Sequence, residues 1–184
     1  MPNQINMQVD VQVKFREALD KLYRDDYSLI ERNCSERSIV FRLGLYLAES
    51  LEHEGFNVDC EYNKNGYRPK ALLGKRFNYP DIIVHKRASN SSNLLVVEVK
   101  TPNDTNPDHF QKDREKLIGF TWEIPYRYKQ GVHVYIAATT CSLVWYVNGE
   151  IREHRRYAVE SDAHELSETE RSDNTFDKWY NQFL

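Results

Sequence analysis

Apolar residues along the first part of the chain recur at the spacing of helices. Residues 9–25 place apolar side chains on one face, and a second stripe follows a cap at Asn33 or Ser35 and stops at Gly55. The second stripe consists of Ile39, Val40, Leu43, Leu47 and Leu51. The pattern therefore predicts two amphipathic helices at the start of the chain.

The middle of the chain changes to short β-branched runs. We predict strands over residues 56–62, 79–86 and 93–100, of which the last two have dense apolar centres. The sequence RASNSSN between those two strands predicts a flexible polar turn. A third helix is predicted from Pro107, because proline suits the first position of a helix.

The last part of the chain predicts more strands and a terminal helix. Residues 132–140 and 142–147 indicate two strands, and the following Asn148-Gly149 pair indicates a tight turn to an antiparallel partner. Residues 160–173 are polar, and we expect them to be loosely ordered. A final helical stripe contains Phe176, Trp179, Tyr180 and Phe183 and should dock on the body of the protein.

This order of elements predicts an α/β fold in which helices flank both faces of a central mixed β-sheet, with a C-terminal hairpin and helix. Strands and helices alternate too little for a dinucleotide-binding fold, and the glycine motifs that bind dinucleotides or nucleoside triphosphates are absent from the sequence. We expect one domain over residues 1–184.

Composition points to a soluble, cytoplasmic protein. Of the 184 residues, 40% are hydrophobic and 29% are charged, which is ordinary for a globular chain. The sequence contains no apolar run that could span a bilayer and no signal-peptide pattern at its N-terminus, so no membrane partner is expected. Three dispersed cysteines fit reduced thiols better than disulfides or a zinc site.

Charge neither supports nor excludes a nucleic-acid partner. The net charge of −3 is unusual for a protein that neutralises phosphates, but the positive charges are clustered. One cluster, between Tyr62 and Tyr79, contains Lys64, Arg68, Lys70, Lys75 and Arg76 and no acidic residue. A second cluster is formed by Arg152, His154, Arg155 and Arg156.

Acidic residues interrupt two of the predicted strands at positions where core is expected. Asp81 directly precedes an apolar run, and Glu98 lies between two valines, with Lys100 on the same strand face as Glu98. Two such carboxylates on adjacent strands repel each other unless a hard divalent cation lies between them, and Mg²⁺ or Mn²⁺ suits one or two carboxylates. The alternative is structural: a solvated Glu98–Lys100 ion pair at a strand end and a turn residue at Asp81.

Together, P-D-I-I-V and E-V-K on two strands joined by a tight turn resemble the PD-(D/E)XK nuclease superfamily, also called restriction-endonuclease-like. The resemblance covers roughly residues 33–147 and includes the order of elements. It implies a three-layer α/β/α core and a phosphodiester hydrolase in which Asp81 and Glu98 bind Mg²⁺ and Lys100 assists the attacking water.

The resemblance also implies further site residues. Glu36 matches the acid that this superfamily often carries on the helix before the sheet, where it would serve a metal; the alternative is a capping box with Asn33. On the helix after E-V-K the candidates are Gln111, Asp113 and Lys116, with Lys116 preferred for phosphate contact. Glu61 is a weaker candidate near the metal.

The predicted function is a metal-dependent nuclease that favours DNA over RNA, in a defence or mobile-element role that the resemblance alone suggests. The first basic cluster and Lys116 are the predicted nucleic-acid contacts. A protein partner in a larger assembly and a homodimer are both left open. The alternative function is a non-catalytic descendant of the nuclease fold that binds protein or nucleic acid, and a metal enzyme on another phosphoester is a third.

Overall fold

We describe the protein from a computed structural model. It describes residues 9–65, 67–72, 75–76, 79–160, 164–168 and 174–184, and for residues 75 and 76 it describes the backbone alone.

Four α-helices are found in the described residues. Their ranges are α1 (Val11–Glu31), α2 (Glu36–Leu51), α3 (Pro107–Trp122) and α4 (Thr175–Tyr180). Helix α1 is longer than predicted because a kink at Asp26 turns the chain and Ile30 is buried beyond it. After α2, a short 3₁₀ turn leads to Gly55, whose φ of +80° ends the helical segment as predicted.

Seven strands form one mixed sheet. They are β1 (Asn57–Cys60), β6 (Ile82–His85), β7 (Leu95–Lys100), β8 (Gln130–Ile136), β9 (Thr140–Val147), β10 (Glu150–Glu160) and β11 (Glu165–Glu168), in that spatial order. Strands β7 and β8 pair in parallel and every other neighbouring pair is antiparallel. The predicted mixed sheet is confirmed.

Helices cover both faces of this sheet. Helices α1 and α2 pack on one face against alternate strand residues such as Ile82 and Val97. Helices α3 and α4 pack on the other face against the intervening residues, such as Ile83 and Val96. The α/β fold with helices on both faces is therefore as predicted, and the alternation of side chains along β6 and β7 decides which helix each residue meets.

Two segments contain strands that the sequence did not predict. Residues 62–79 contain two small hairpins, formed by β2 (Lys64–Asn65) with β3 (Arg68–Pro69) and by β4 (Ala71–Leu72) with β5 (Lys75–Arg76).

The second difference lies in the polar stretch 160–173. We expected it to be loosely ordered, but its residues 165–168 form β11, which pairs with the end of β10. Leu166 is buried, and its carbonyl accepts a hydrogen bond from Arg16 of α1. Residues 161–163 and 169–173 lie outside the described residues.

None of the helices in the described part of the chain combines the length and the apolar character needed to cross a bilayer.

Candidate active site

The antiparallel pairing of β6 and β7 brings the predicted motif residues together. Asp81 directly precedes β6, and Ile82 pairs with Val97 near the end of β7. The Oδ2 atom of Asp81 accepts a hydrogen bond of 2.7 Å from the backbone N–H of Val99, the residue between Glu98 and Lys100. The start of β6 and the end of β7 lie side by side, so the motif residues are together at one end of these two strands.

Alternation along the strands places these side chains on the α3 face. Ile83 and Val96 pack in the core beneath α3, so Asp81, Glu98 and Lys100, each two or four residues away, point to the same layer. Contacts of Glu98 with Lys116 and of Lys100 with Asp113, both on α3, agree with this assignment.

Lys100 lies within a ring of carboxylates. Its Nζ atom is 2.9 Å from Asp113, 3.5 Å from Asp104 and 3.6 Å from Glu36. Burial by itself lowers the pKa of this ammonium, but the charges of Asp113 and Glu36 outweigh that cost and raise the pKa above its ordinary value. Lys100 is consequently a charged donor at neutral pH.

A second lysine closes the cluster from α3. The Nζ atom of Lys116 lies 2.5 Å from Glu98 Oε2 and 2.7 Å from Asp113 Oδ1. We predicted that Lys116 contacts phosphate. In this arrangement its ammonium is turned inward to two carboxylates, although a fifth of its side chain stays accessible to solvent.

Glu36 reaches the cluster from the other helical layer. It is the first residue of α2, and the N-cap is Ser35, whose hydroxyl accepts a hydrogen bond from the N–H of Ser38. The alternative capping box with Asn33 is therefore not formed. Burial raises the pKa of Glu36 to about 7, against the lowering effect of Lys100.

The carboxylates of the cluster respond differently to the same surroundings. Burial raises the pKa of Asp81 and of Glu98 above their ordinary values, and Lys116 opposes both shifts. Burial also disfavours the charge on Asp113, but the positive charges of Lys116 and Lys100 outweigh that effect and lower its pKa to about 2. Asp113 is thus the ionised anchor of both lysines, while Asp81 and Glu98 carry charge at a cost.

Glu98 has an unused ligand atom. Its side chain is 1% exposed, and its Oε1 atom has no hydrogen-bond partner in the described part of the chain. A buried carboxylate oxygen of this kind costs free energy unless a cation or donor meets it. Together with Asp81, it could supply two hard oxygen ligands, which is the number that Mg²⁺ accepts while it keeps several waters.

The acids of the cluster do not form a complete set of metal ligands. Among the described residues, no group of three or more His, Cys, Asp and Glu side chains is arranged to hold an ion, and this includes the predicted set of Asp81, Glu98 and Glu36. An ion held by Asp81 and Glu98 alone would take its other ligands from water, as Mg²⁺ does.

The predicted nucleic-acid contacts are not all on the surface. Lys64 and Arg68 are exposed, whereas the side chains of Lys75 and Arg76 lie outside the described residues. Lys70 is a correction: it is 3% exposed, and its ammonium contacts the hydroxyl of Tyr128 at 3.3 Å among aromatic rings. Burial also lowers the pKa of Lys70 to about 8. Lys70 is therefore part of the protein interior and not a surface cation.

The hairpin that carries Lys64 and Arg68 contacts the turn between β6 and β7. Asn65 in β2 accepts a hydrogen bond from Asn90 in that turn. The hairpin follows Glu61, whose backbone N–H donates a hydrogen bond of 3.0 Å to the carbonyl of Asp81.

The second basic cluster is neutralised locally. Arg152 and Arg155 contact glutamates of their own strand at 3.0 and 2.6 Å, and His154 contacts the buried Asp177 at 2.7 Å. Glu61, the weaker metal candidate, has a side chain that is 58% exposed and lies 3.5 Å from Arg37.

Sequence reasoning missed two members of the cluster and ranked a third too low. Asp113 was considered but ranked below Lys116, although the two lie three residues apart on one helical face. Asp104 comes from the loop after β7, which carries no periodic signal. His133 lies beside Glu98 in the parallel register of β7 and β8, a pairing that the sequence does not show.

Comparisons with known proteins do not assign this chain to a family. No protein-family model matches the chain, and no curated protein matches it. Among solved structures, the cryo-electron microscopy structure of the DrdV–DNA complex contains a chain that aligns with 77% of this chain at 17% identity and a TM-score of 0.45. The alignment covers 12% of that chain. A TM-score this low assigns neither fold nor activity, so the case for a function depends on the site.

Proposed function

We propose that the protein is a metal-dependent nuclease that hydrolyses phosphodiester bonds, with DNA favoured over RNA. The observation that carries the proposal is the buried Oε1 atom of Glu98, which has no partner among the described residues and belongs to the strand end whose Val99 N–H bonds Asp81. A buried carboxylate oxygen without a partner is unfavourable in a purely structural cluster and is common where a site awaits a ligand.

Asp81 and Glu98 would hold Mg²⁺ or Mn²⁺, and Glu36 would assist from α2. When bound, the ion would polarise a phosphoryl oxygen and help to lower the pKa of the attacking water. Lys100 is surrounded by carboxylates, which favour its ammonium form. It therefore orients the attacking water and neutralises charge that develops on the phosphoryl group, and a general-base role does not suit it.

Charge within the cluster supports a cation. Five carboxylates, those of Glu36, Asp81, Glu98, Asp104 and Asp113, interact with two lysines, Lys100 and Lys116. With every carboxylate ionised, the cluster would carry three unmatched negative charges (five minus two). A divalent cation offsets most of that charge.

One observation favours the alternative function, a non-catalytic module that binds protein or nucleic acid. Lys100 and Lys116 already pair with four of the carboxylates, so the cluster can hold together without a metal. A defence or mobile-element role, and a protein partner in a larger assembly, remain part of the proposal without a structural observation of their own.

We expect Mg²⁺ to stabilise the protein through this site. A cation that binds the folded state alone, at about 100 times its Kd, adds about 2.7 kcal/mol to the free energy of unfolding. For a chain of this size that raises Tm by roughly 5–10 °C, which a thermal melt with and without Mg²⁺ measures.

Glu98→Gln should remove most of this Mg²⁺-dependent shift, because an amide is a poor ligand for a hard cation. Glu61→Gln is the matched control, since the Glu61 side chain is exposed and paired with Arg37, and it should keep the full shift. A parent protein whose Tm does not respond to Mg²⁺ or Mn²⁺ would favour the non-catalytic module.

A further inference from the structure

A chain of buried polar side chains connects the candidate site to the C-terminal helix. The Nδ1 atom of His133 lies 2.5 Å from the hydroxyl of Tyr180 in α4, and that hydroxyl lies 2.7 Å from the hydroxyl of Tyr146 in β9. All three side chains have no measurable exposure. Buried polar groups are retained where each satisfies another, so the three form one hydrogen-bonded unit.

The other ring nitrogen of His133 points at the cluster of charges. Its Nε2 atom has no hydrogen-bond partner in the described part of the chain, and the charged Asp113 Oδ2 atom lies 3.8 Å away, beyond hydrogen-bond distance. That same Oδ2 atom lies 2.9 Å from the ammonium of Lys100. His133 is therefore separated from Lys100 by one carboxylate.

Electrostatics decides where the imidazole proton lies. Two lysines keep Asp113 ionised, and an ionised carboxylate favours an N–H over a lone pair on the nitrogen that faces it. With the proton on Nε2, the bare Nδ1 accepts a hydrogen bond from the hydroxyl of Tyr180. That hydroxyl in turn accepts one from Tyr146, so both tyrosine hydroxyls have an acceptor.

Packing holds the ring in this orientation. The edges of Phe110 from α3 and Phe176 from α4 contact the imidazole, with ring centroids 6.5 and 4.8 Å away. Complete burial lowers the pKa of His133 to about 3, so the imidazole stays neutral. A neutral imidazole carries one proton, either on Nδ1 or on Nε2.

We propose that His133 is a positioning residue for Lys100: Tyr180 fixes the Nε2–H tautomer, and this N–H holds Asp113 where it orients the Lys100 ammonium. The inference rests on the proposed function for the role of Lys100. It also assigns α4, which lies outside the motif, a part in the geometry of the site.

Asp113 needs to be fixed in place because Lys100 has two other carboxylates within reach. Asp104 and Glu36 lie 3.5 and 3.6 Å from its Nζ atom, only slightly farther than Asp113. If Asp113 relaxes, the ammonium can turn towards either of them. The hydrogen bond between Tyr180 and His133, together with the attraction between the His133 N–H and the Asp113 carboxylate 3.8 Å away, thus favours one of three orientations.

Tyr180→Phe and Tyr146→Phe make a matched pair of tests. Each removes one buried hydroxyl, but only Tyr180→Phe removes the donor to Nδ1. The ¹⁵N chemical shifts of the His133 imidazole, which need no substrate, report its tautomer. We expect the Nε2–H tautomer in the parent protein and in Tyr146→Phe, and a mixture of tautomers in Tyr180→Phe.

Kinetics supply the second readout. In single-turnover cleavage of DNA, Tyr180→Phe should slow the chemical step on the order of tenfold with unchanged DNA affinity, and Tyr146→Phe should be nearly neutral. His133→Gln can present an amide N–H to Asp113 without Tyr180, so adding Tyr180→Phe to it should cause no further loss.

The outcomes separate this inference from the proposed function. A parent protein with the proton on Nδ1, or equal rates for the two tyrosine variants, would overturn the positioning role. A parent protein that shows the expected tautomer but cleaves no nucleic acid would overturn the proposed nuclease, because the tautomer measurement does not depend on activity.

Discussion

Asp81→Asn should lower nucleic-acid cleavage by at least about 100-fold and leave the fold intact. The asparagine oxygen can still accept the hydrogen bond from Val99 that anchors residue 81, so the change removes charge and little else. Burial raises the pKa of Asp81, which means that its ionised form costs stability at neutral pH. The Tm of the variant without metal should therefore stay the same or rise.

Single-turnover cleavage together with thermal melts measures both effects. Glu61→Gln again serves as the control, since its backbone bonds that of Asp81 but its side chain faces Arg37. Cleavage by Asp81→Asn within a few-fold of the parent rate would show that Asp81 has no role in catalysis. A large fall in Tm would instead indicate that Asp81 is a structural acid.

Asp113→Asn should have the largest effect on stability. The substitution leaves Lys100 and Lys116 without the carboxylate that they share, and breaking a buried ion pair costs about 3–5 kcal/mol. Because each lysine keeps another acid nearby, we expect the lower end, about 3 kcal/mol in the free energy of unfolding. Chemical denaturation at pH 7 measures it.

The pH dependence of the same variant gives an independent check. The folded pKa of Asp113 is lowered to about 2, so its contribution is present above the carboxyl pKa of the unfolded chain and is lost as pH falls towards 2. Asp113→Asn should lack this part of the acid-induced loss of stability. Asp104→Asn is the control, because Asp104 is more exposed and farther from Lys100, and should cost less than about 1 kcal/mol. Equal costs for the two variants would contradict the anchoring role of Asp113.

Local patterns in the sequence were sufficient for the fold class and for the strands that carry the motif. The β-branched runs around Asp81 and Glu98 predicted both strands, and period-two alternation put Glu98 and Lys100 on one face. Pro107 and Asn148-Gly149 marked a helix start and a hairpin turn that the structure contains.

What the sequence could not show depends on contacts between distant segments. The register of β7 with β8 puts His133 beside Glu98, and no local pattern encodes that pairing. Lys70 looked like a surface cation because its neighbours in sequence are basic, but aromatic residues from the far end of α3 and beyond bury it. The roles of Asp81, Glu98, Lys100 and Glu36 in metal binding and catalysis stay predictions.

The central claim, that this cluster hydrolyses phosphodiester bonds, is tested most directly by a cleavage assay. Plasmid, linear duplex, single-stranded DNA and RNA should each be incubated with the parent protein and with Glu98→Gln, in Mg²⁺, in Mn²⁺ and in EDTA. We predict that the parent protein cleaves DNA in Mg²⁺ or Mn²⁺, and that both EDTA and Glu98→Gln abolish cleavage. A parent protein that leaves all four substrates intact with either metal, or that cleaves equally well in EDTA or with Glu98→Gln, would contradict it.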